Sequence, residues 1–224
     1  MKLSETDLHL LLNGRHHEPH SILGMHPTPN GLVVRCLIKN ALSCEVVDIE
    51  PDGDGVRYPM RRLADEGLFQ VEISGRKHFK YRLRIEQYNG EIRQFWDPFS
   101  FLPSIDEQGV YYFNEGRDRR PHLKMGAHVR EIDGVKGVGF AVWAPNAKRV
   151  SVVGDFNQWD GRYHPMRVLV SSGIWEIFIP GLVQGCFYKY EIVGKDEQML
   201  LKSDPFASYY ESPPHNSTIV YDTD

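Results

Sequence analysis

The sequence predicts an all-β protein made of two tandem β-sandwiches with a short N-terminal helix. Three observations support this prediction. Short segments of alternating apolar and polar residues follow one another along the chain, 20 glycines and 14 prolines mark the joints between them, and a long internal repeat is present. With 224 residues, 41% of them hydrophobic and 25% charged, the chain has the size and composition of two small globular domains.

The helix is predicted near the start of the chain, over about residues 4–13. Ser4 is followed three residues later by Asp7, which is typical of a helix N-cap. Leu8, Leu11 and Leu12 recur at helical spacing before Gly14 ends the pattern. One short amphipathic helix is therefore expected.

Most of the remaining chain has the pattern of short strands. Alternation and a high content of β-branched and aromatic residues predict strands over 32–38, 68–73, 81–88, 139–144, 149–154, 174–179 and 188–193. Turn residues separate them at 51–55, 88–91 and 145–147. Short strands separated by turns at these positions favour a β-sandwich over a helical or βαβ fold.

The internal repeat defines the domains. YPMR at 58–61 returns as HPMR at 164–167, and GLFQVEI at 67–73 returns as GIWEIFI at 173–179, both 106 residues later. YRLRI at 81–85 and the DPF at 97–99 return 107 residues later. Two copies of one immunoglobulin-like sandwich are predicted, over residues 1–110 and 125–224, with a charged linker over 111–124.

Composition excludes several functional classes. A net charge of −4 supplies no basic face for nucleic acid. Cys36, Cys44 and Cys186 are odd in number and scattered, which indicates a reducing compartment rather than a disulfide framework. Glu5 and Asp7 interrupt any signal sequence, and no apolar run approaches the ~20 residues of a membrane span. We expect a cytoplasmic protein with no membrane or nucleic-acid partner.

Cofactor and metal sites are not predicted. Nucleophile, phosphate-loop, dinucleotide and zinc-protease motifs are missing from the sequence. His16, His17, Glu18 and His20 form the densest titratable cluster, but Pro19 prevents a helix from aligning them, so a polar loop is the expected structure. Asp52 and Asp54 lack the spacing of a calcium loop and indicate a turn.

One aromatic residue stands out as a candidate binding residue. Trp159 follows the strand that ends at Gly154 and lies in a loop with Asp155, Asn157 and Asp160. A ring beside amide and carboxylate groups can stack on the apolar face of a sugar while its neighbours bind hydroxyls. The alternative is a tryptophan that covers the core or a neighbouring domain.

At this loop the sequence also resembles a known family. The stretch GFAVWAPNAKRVSVVGDFNQWDGRYHPM at 139–166, followed by GIWEIFIPG, YKYEI and LKSDPFA, is similar to the family 48 carbohydrate-binding module of bacterial glycogen branching enzymes. LLNGRHHEPHSILGMHP at 11–27 and the first DPF resemble the extra N-terminal module, N1, of those enzymes. Together the two resemblances cover essentially the whole chain.

The resemblance implies a role for the chain. Branching enzymes cleave α-1,4-glucan and transfer the chain to form α-1,6 branches in glycogen, using a (β/α)₈ barrel of the glycoside hydrolase 13 class. The barrel motifs, with their Asp nucleophile and Glu acid/base, are not in this sequence. The chain is therefore expected to be the non-catalytic N-terminal region, without catalytic residues or transferase activity of its own. Its expected partners are α-glucan and the catalytic barrel, which would follow Asp224.

The resemblance also implies the sugar-binding residues. Trp159 matches the stacking aromatic, Lys189 a lysine of the following aromatic strand, and Asn216 an asparagine near the end of the module. Leu201 stands where sugar-binding members carry a second tryptophan, so weak binding is expected, and Trp159 could instead pack on the barrel. The loop 49–55 of the first copy has no such aromatics.

Two alternatives remain open at this point. The chain could be a free-standing glycogen-binding or scaffold module, or the front end of a debranching enzyme. In branching enzymes, N1 is expected to influence the length of the transferred chain. Continuation of the reading frame into a barrel would favour the transferase.

Overall fold

The structure, a computed structural model, describes residues 3–50 and 55–221. It confirms the predicted all-β class, because antiparallel strands dominate and only two α-helices accompany them among the described residues. Most of the predicted turn at 51–55, including Asp52 and Asp54, lies outside the described residues. The chain divides into two compact units, which comprise the described residues of Met1–Asn13 with His20–Ser100, and of Gly14–Pro19 with Phe101–Asp224.

Within the described residues, two α-helices and seventeen strands form these units. The helices are α1 (Glu5–Leu12) and α2 (Glu107–Asn114). The strands of the first unit are β1 (Gly24–Thr28), β2 (Gly31–Leu37), β3 (Ala41–Asp48), β4 (Arg57–Pro59), β5 (Arg61–Ala64), β6 (Leu68–Ser74), β7 (Tyr81–Gln87) and β8 (Ile92–Trp96). Those of the second are β9 (Gly126–Ile132), β10 (Val135–Trp143), β11 (Ala147–Gly154), β12 (Arg167–Val168), β13 (Ile174–Pro180), β14 (Phe187–Gly194), β15 (Met199–Lys202), β16 (Tyr209–Tyr210) and β17 (Thr218–Ile219).

The first unit is a sandwich of two four-stranded antiparallel sheets. Their strand orders are β1-β2-β6-β5 and β4-β3-β7-β8. Alternate residues of both sheets point inward, and the core contains fully buried side chains such as Val34, Phe69 and Leu83. Cys36 and Cys44 lie in this core with their Sγ atoms 3.7 Å apart.

The second unit repeats this architecture and extends it. One sheet has the order β9-β10-β13-β12, and the other has the order β11-β14-β17-β16, with β15 paired to β14. Phe140, Ile177, Tyr188 and Tyr190 fill the space between the sheets and are almost completely buried. The hairpin of β16 and β17 comes after the second DPF, beyond the part of the repeat that the first copy contains.

A buried carboxylate closes each sandwich at its DPF. Asp97 Oδ2 accepts a hydrogen bond from the Tyr81 hydroxyl at 2.6 Å, and Asp204 Oδ2 accepts one from Tyr188 at 2.7 Å. The other oxygen of each carboxylate accepts the amide of the residue two positions later, Phe99 or Phe206. The repeated Tyr and Asp are therefore a structural anchor that both copies use.

The repeat begins earlier than the strand pattern indicates. Helices α1 and α2 lie 102 residues apart, and Ser4 and Asp106 cap them by accepting the amide three residues later. At the same offset, His26 bonds to the Leu23 carbonyl and His128 to the Met125 carbonyl, both at 2.9 Å. Each copy thus begins with a capped helix and a histidine-stabilised turn before its first strand.

The predicted helix over about 4–13 is confirmed as Glu5–Leu12 with Ser4 as its N-cap. The predicted linker, 111–124, contains the C-terminal half of α2 and a short 3-10 turn at Pro121–Leu123. Val110 and Phe113 of α2 pack in a small apolar cluster with Met125 and Leu169 of the second unit. The predicted domain boundaries at residues 110 and 124 therefore stay a prediction.

Candidate functional site

The loop that carries Trp159 is fixed by one asparagine. Asn157 Oδ1 accepts the Gly154 amide at 2.9 Å, and Asn157 Nδ2 lies 2.8 Å from the Val152 carbonyl oxygen and 2.9 Å from His164 Nδ1. The side chain is 7% exposed. Because it joins the end of β11 to both sides of the loop, the loop after Gly154 is held in one conformation.

Trp159 is presented by an unusual backbone. Gln158 and Trp159 both have left-handed φ angles, 57° and 60°, which cost non-glycine residues about 1 kcal/mol or more each. The Trp159 amide donates to the Gly154 carbonyl at 2.9 Å, and its indole Nε1 donates to Asp155 Oδ1 at 2.8 Å. The indole is thereby oriented in advance while 37% of the residue stays exposed.

Lys189 and Asn216 meet on the neighbouring strands. Lys189 lies on β14 between the buried Tyr188 and Tyr190, so its side chain points to the outer face of the sheet. Its Nζ donates to Asn216 Oδ1 at 2.6 Å, and Ser203 Oγ donates to the Asn216 carbonyl oxygen at 2.5 Å. The structure therefore brings two of the three predicted residues into direct contact.

An ion pair beneath the loop positions it on this same face. Arg149 of β11 donates to Glu191 Oε1 of β14 at 3.1 Å and to the carbonyl oxygens of Gly161 and Gly14. Both charged residues are buried. A Cβ added to Gly161 would lie 2.2 Å from Glu191 Oε1, so a larger residue there would displace the Glu191 carboxylate. The buried Arg149–Glu191 pair therefore holds the Trp159 loop against the sheet through the Gly161 carbonyl oxygen.

The strand register relates Trp159 to the other two residues. Val153 is paired with Lys189, and Gly154, where the Trp159 loop begins, is paired with Tyr188. The loop then returns over Glu191, two positions from Lys189 on the same face. The Trp159 loop thus begins at the end of the sheet where Lys189 contacts Asn216.

Leu201 is 55% exposed on β15 and is paired with Glu191. The family resemblance predicts a second tryptophan at this position.

In the first copy, the position of Lys189 is taken by Arg82, whose guanidinium lies 4.7 Å from the centre of the Trp96 ring. In this cation–π contact, the Arg82 guanidinium and the Trp96 ring interact with each other.

Desolvation shifts the pKa of His164, the residue that bonds to Asn157. Burial lowers the pKa of His164 to about 4, so its ring is neutral at physiological pH. A neutral Nδ1 can accept from the Asn157 amide, which keeps the loop bonds intact.

The histidine cluster near the N-terminus has structural contacts. His16 is buried, and its Nδ1 accepts the Glu18 amide at 3.1 Å, while the His16 and His17 rings stack at 5.2 Å. The His20 ring packs on Phe99 at 4.7 Å. Within residues 3–50 and 55–221, no group of three or more His, Cys, Asp and Glu side chains is arranged to hold a metal ion.

Sequence reasoning missed the residues that build the loop from below. The sequence predicts Arg149 only as part of a strand, although a charged residue in the apolar run RVSVVG is a signal for a buried pair. Its partner, Glu191, lies 42 residues away, and no local pattern connects them. Asn157 is the third such residue, since its three partners become neighbours only in the folded loop.

Comparison with known proteins gives two family matches. Residues 4–99 match the family described as alpha-1,4-glucan branching enzyme GlgB, N-terminal domain, and residues 124–207 match carbohydrate-binding module 48, also called the isoamylase N-terminal domain. Among the described residues, no helix is both long and apolar enough to span a membrane.

Curated relatives align with nearly the whole chain. The chain is 43% identical over 221 residues to the 1,4-alpha-glucan branching enzyme GlgB of Paramagnetospirillum magneticum, covering 98% of this chain and 29% of that protein. It is 42% identical over 220 residues to the GlgB of Myxococcus xanthus, covering 97% and 29%. The chain therefore spans less than a third of these relatives.

Both matches agree with the resemblance found in the sequence, and they give the same order of modules. The chain contains a GlgB-type N-terminal domain followed by a carbohydrate-binding module of family 48, and it is similar to the N-terminal portion of 1,4-alpha-glucan branching enzymes.

Proposed function

We propose that this chain is the part of a glycogen branching enzyme that holds α-glucan near the catalytic barrel, and that Trp159, Lys189 and Asn216 contact the glucan. The parent enzyme would cleave α-1,4-linkages and transfer the released chain into α-1,6 branches. A reducing, cytoplasmic location is part of the proposal, and the three free cysteines support it.

The observation that carries the proposal is the pre-oriented indole of Trp159 in the loop that begins near the bonded Lys189–Asn216 pair. A glucose ring has an apolar face and a rim of hydroxyls. The indole supplies a stacking surface, while the ammonium and amide supply donors and an acceptor for the rim. Because Asp155 and Gly154 already hold Trp159 in place, binding loses little side-chain entropy.

Binding of maltoheptaose to the 224-residue chain, measured by titration calorimetry, tests the site. We expect a dissociation constant in the millimolar range. Trp159→Ala should weaken binding roughly 5- to 30-fold, which corresponds to the ~1–2 kcal/mol expected of one stacked ring. Lys189→Met should weaken it less, because it removes one charged donor and keeps the stem.

Trp143→Ala is the matched control. Trp143 is also an exposed tryptophan of the second sandwich, at 53%, but it lies at the end of β10 in the other sheet. This variant should bind like the parent chain. Equal binding by the parent chain and Trp159→Ala, with the fold of both verified by circular dichroism, contradicts the sugar site and leaves Trp159 with a packing role.

Two further parts of the proposal concern activity. The chain alone should form no branches on amylose in a branch-linkage assay, and measurable branching would contradict a purely binding role.

Deleting residues 1–110 from the full enzyme should change the length distribution of transferred chains. An unchanged distribution of chain lengths would mean that the N1 module only stabilises the enzyme.

A further inference from the structure

The outer face of the sheet that carries Lys189 continues beyond the three proposed sugar contacts. Tyr188 is buried in the core, so its neighbour Phe187 points to the outer face. Phe187 is paired with Ile219 of β17, and Ile219 is paired with Tyr209 of β16. Since directly paired residues share a face, this row of apolar side chains crosses three strands.

The row ends in two exposed tyrosines. Tyr209 is 54% exposed and Tyr221 is 52% exposed. Their ring centres lie 5.7 Å apart with 31° between the planes, so the two rings form one exposed aromatic pair. Neighbouring Tyr210 differs, because its hydroxyl turns inward and donates to the Asp204 carbonyl oxygen.

The tyrosine surface and the Trp159 loop belong to the two outer strands in the main order of this sheet. The indole of Trp159 bonds to Asp155, which follows Gly154 at the end of β11. The order β11-β14-β17-β16 places three inter-strand steps between β11 and the strand of Tyr209. At about 4.8 Å per step, β11 and β16 are about 14 Å apart, and Lys189 of β14 bonds to Asn216 between them.

The chemistry of this face fits a linear α-glucan of several glucose units. Aromatic surfaces at both ends match the apolar faces of sugar rings, and the central donors match hydroxyls. Leu201 leaves the expected second tryptophan position without a ring, whereas Tyr209 and Tyr221 supply rings at a different place on the same face.

We propose that Tyr209 and Tyr221 form a second stacking platform for the α-glucan chain that Trp159 contacts, so that the module binds long oligosaccharides better than short ones. The inference depends on the proposed function, because it assigns a further contact for the same ligand.

Calorimetric titration of the 224-residue chain with maltotriose and with maltoheptaose tests the platform. The parent chain should bind maltoheptaose more tightly. Tyr209→Ala and Tyr221→Ala should each weaken maltoheptaose binding roughly five- to tenfold and leave maltotriose binding unchanged. Tyr209→Phe keeps the ring and should retain most of the affinity.

Tyr111→Ala is the matched control, because Tyr111 is 55% exposed on α2 of the same unit. Loss of maltoheptaose binding in this variant as well would overturn the platform by showing a nonspecific effect. Parent-like binding of both sugars by Tyr209→Ala and Tyr221→Ala, while Trp159→Ala loses both, would overturn the platform and leave the proposed function standing. Absence of binding in the parent chain would overturn both.

Discussion

The two sandwiches share a frame but differ at one end of their second sheets. Both use a capped helix, a histidine-bonded turn and a tyrosine-bonded aspartate. In the second copy, the loop after the first strand of this sheet holds Trp159, and the β16–β17 hairpin adds Asn216 and Tyr209. In the first copy, Arg82 in the place of Lys189 is covered by Trp96.

The difference indicates where the proposed binding residues were added to a common scaffold. The bonded tyrosine and aspartate are buried in both copies, whereas Trp159, Asn216 and Tyr209 of the second copy are exposed and lie on its loop and hairpin. The two copies therefore allow shared structural residues to be compared with proposed binding residues in one chain.

The largest difference is expected at the ion pairs of the outer faces. Arg149→Ala leaves buried Glu191 without its charged partner and should lower the free energy of unfolding of the second sandwich by about 3–5 kcal/mol. Arg84→Ala breaks the pair at the corresponding place in the first copy, Arg84–Glu45, where both side chains are about a fifth exposed. It should cost less, about 1 kcal/mol.

Urea unfolding, with hydrogen exchange of the β7 and β14 amides to separate the copies, measures both effects. Arg149→Ala should also speed exchange in the 155–161 loop, because the Gly161 carbonyl loses its donor. Equal losses in the free energy of unfolding for the two variants would mean that the deeper burial of Arg149 does not strengthen its ion pair.

The buried carboxylates should show a smaller contrast, in the opposite sense. Tyr81→Phe leaves Asp97 with the Phe99 amide and should cost about 2–3 kcal/mol. Tyr188→Phe should cost about 1 kcal/mol, because Asp204 keeps a second hydroxyl, that of Tyr190, at 2.9 Å. Strand-resolved hydrogen exchange provides the measurement, and a larger cost for Tyr188→Phe would contradict the assignment of donors.

The smallest contrast concerns pH. The pKa of His164 is about 4 in the folded chain and close to 6.5 unfolded, so the unfolded state binds more protons between these values. The second sandwich should therefore lose stability as the pH falls from 6.5 to 4, by about 1–2 kcal/mol since the residue keeps some exposure.

Asp97 contributes the opposite dependence to the first sandwich, and Asp204, whose pKa burial also raises, contributes it to the second, where it opposes the effect of His164. Burial raises the pKa of the Asp97 carboxyl to about 6, above the ordinary 3.8, so the folded state binds more protons and this contribution to stability falls as the pH rises from 4 to 6. Hydrogen exchange at pH 4.5 and 7.5 compares the copies. His164→Gln should flatten the response of the second, and an unchanged response would assign it to another group.

The sequence predicted the elements whose signals are local. The alternation at 174–179 predicted β13, found at Ile174–Pro180, and Ser4 with the leucines predicted α1. Helix α2 was missed because its sequence, EQGVYYFN, combines a glycine with aromatic residues of high strand propensity and carries little helical periodicity. Strand β3, ALSCEVVD, was missed because its polar and apolar residues do not alternate regularly.

By itself, the sequence determined the all-β class, the duplication, and the family resemblance with Trp159, Lys189 and Asn216 as candidates. It did so because strand alternation and repeated motifs are visible along the chain. Tertiary structure alone decided that Lys189 bonds Asn216 and that Arg149 holds the loop against Glu191. It also placed the Tyr209 ring beside that of Tyr221, with Tyr209 three inter-strand steps from β11, the strand that leads into the Trp159 loop. These relations depend on strand order and register, which join residues far apart in the chain and leave no periodic trace in it.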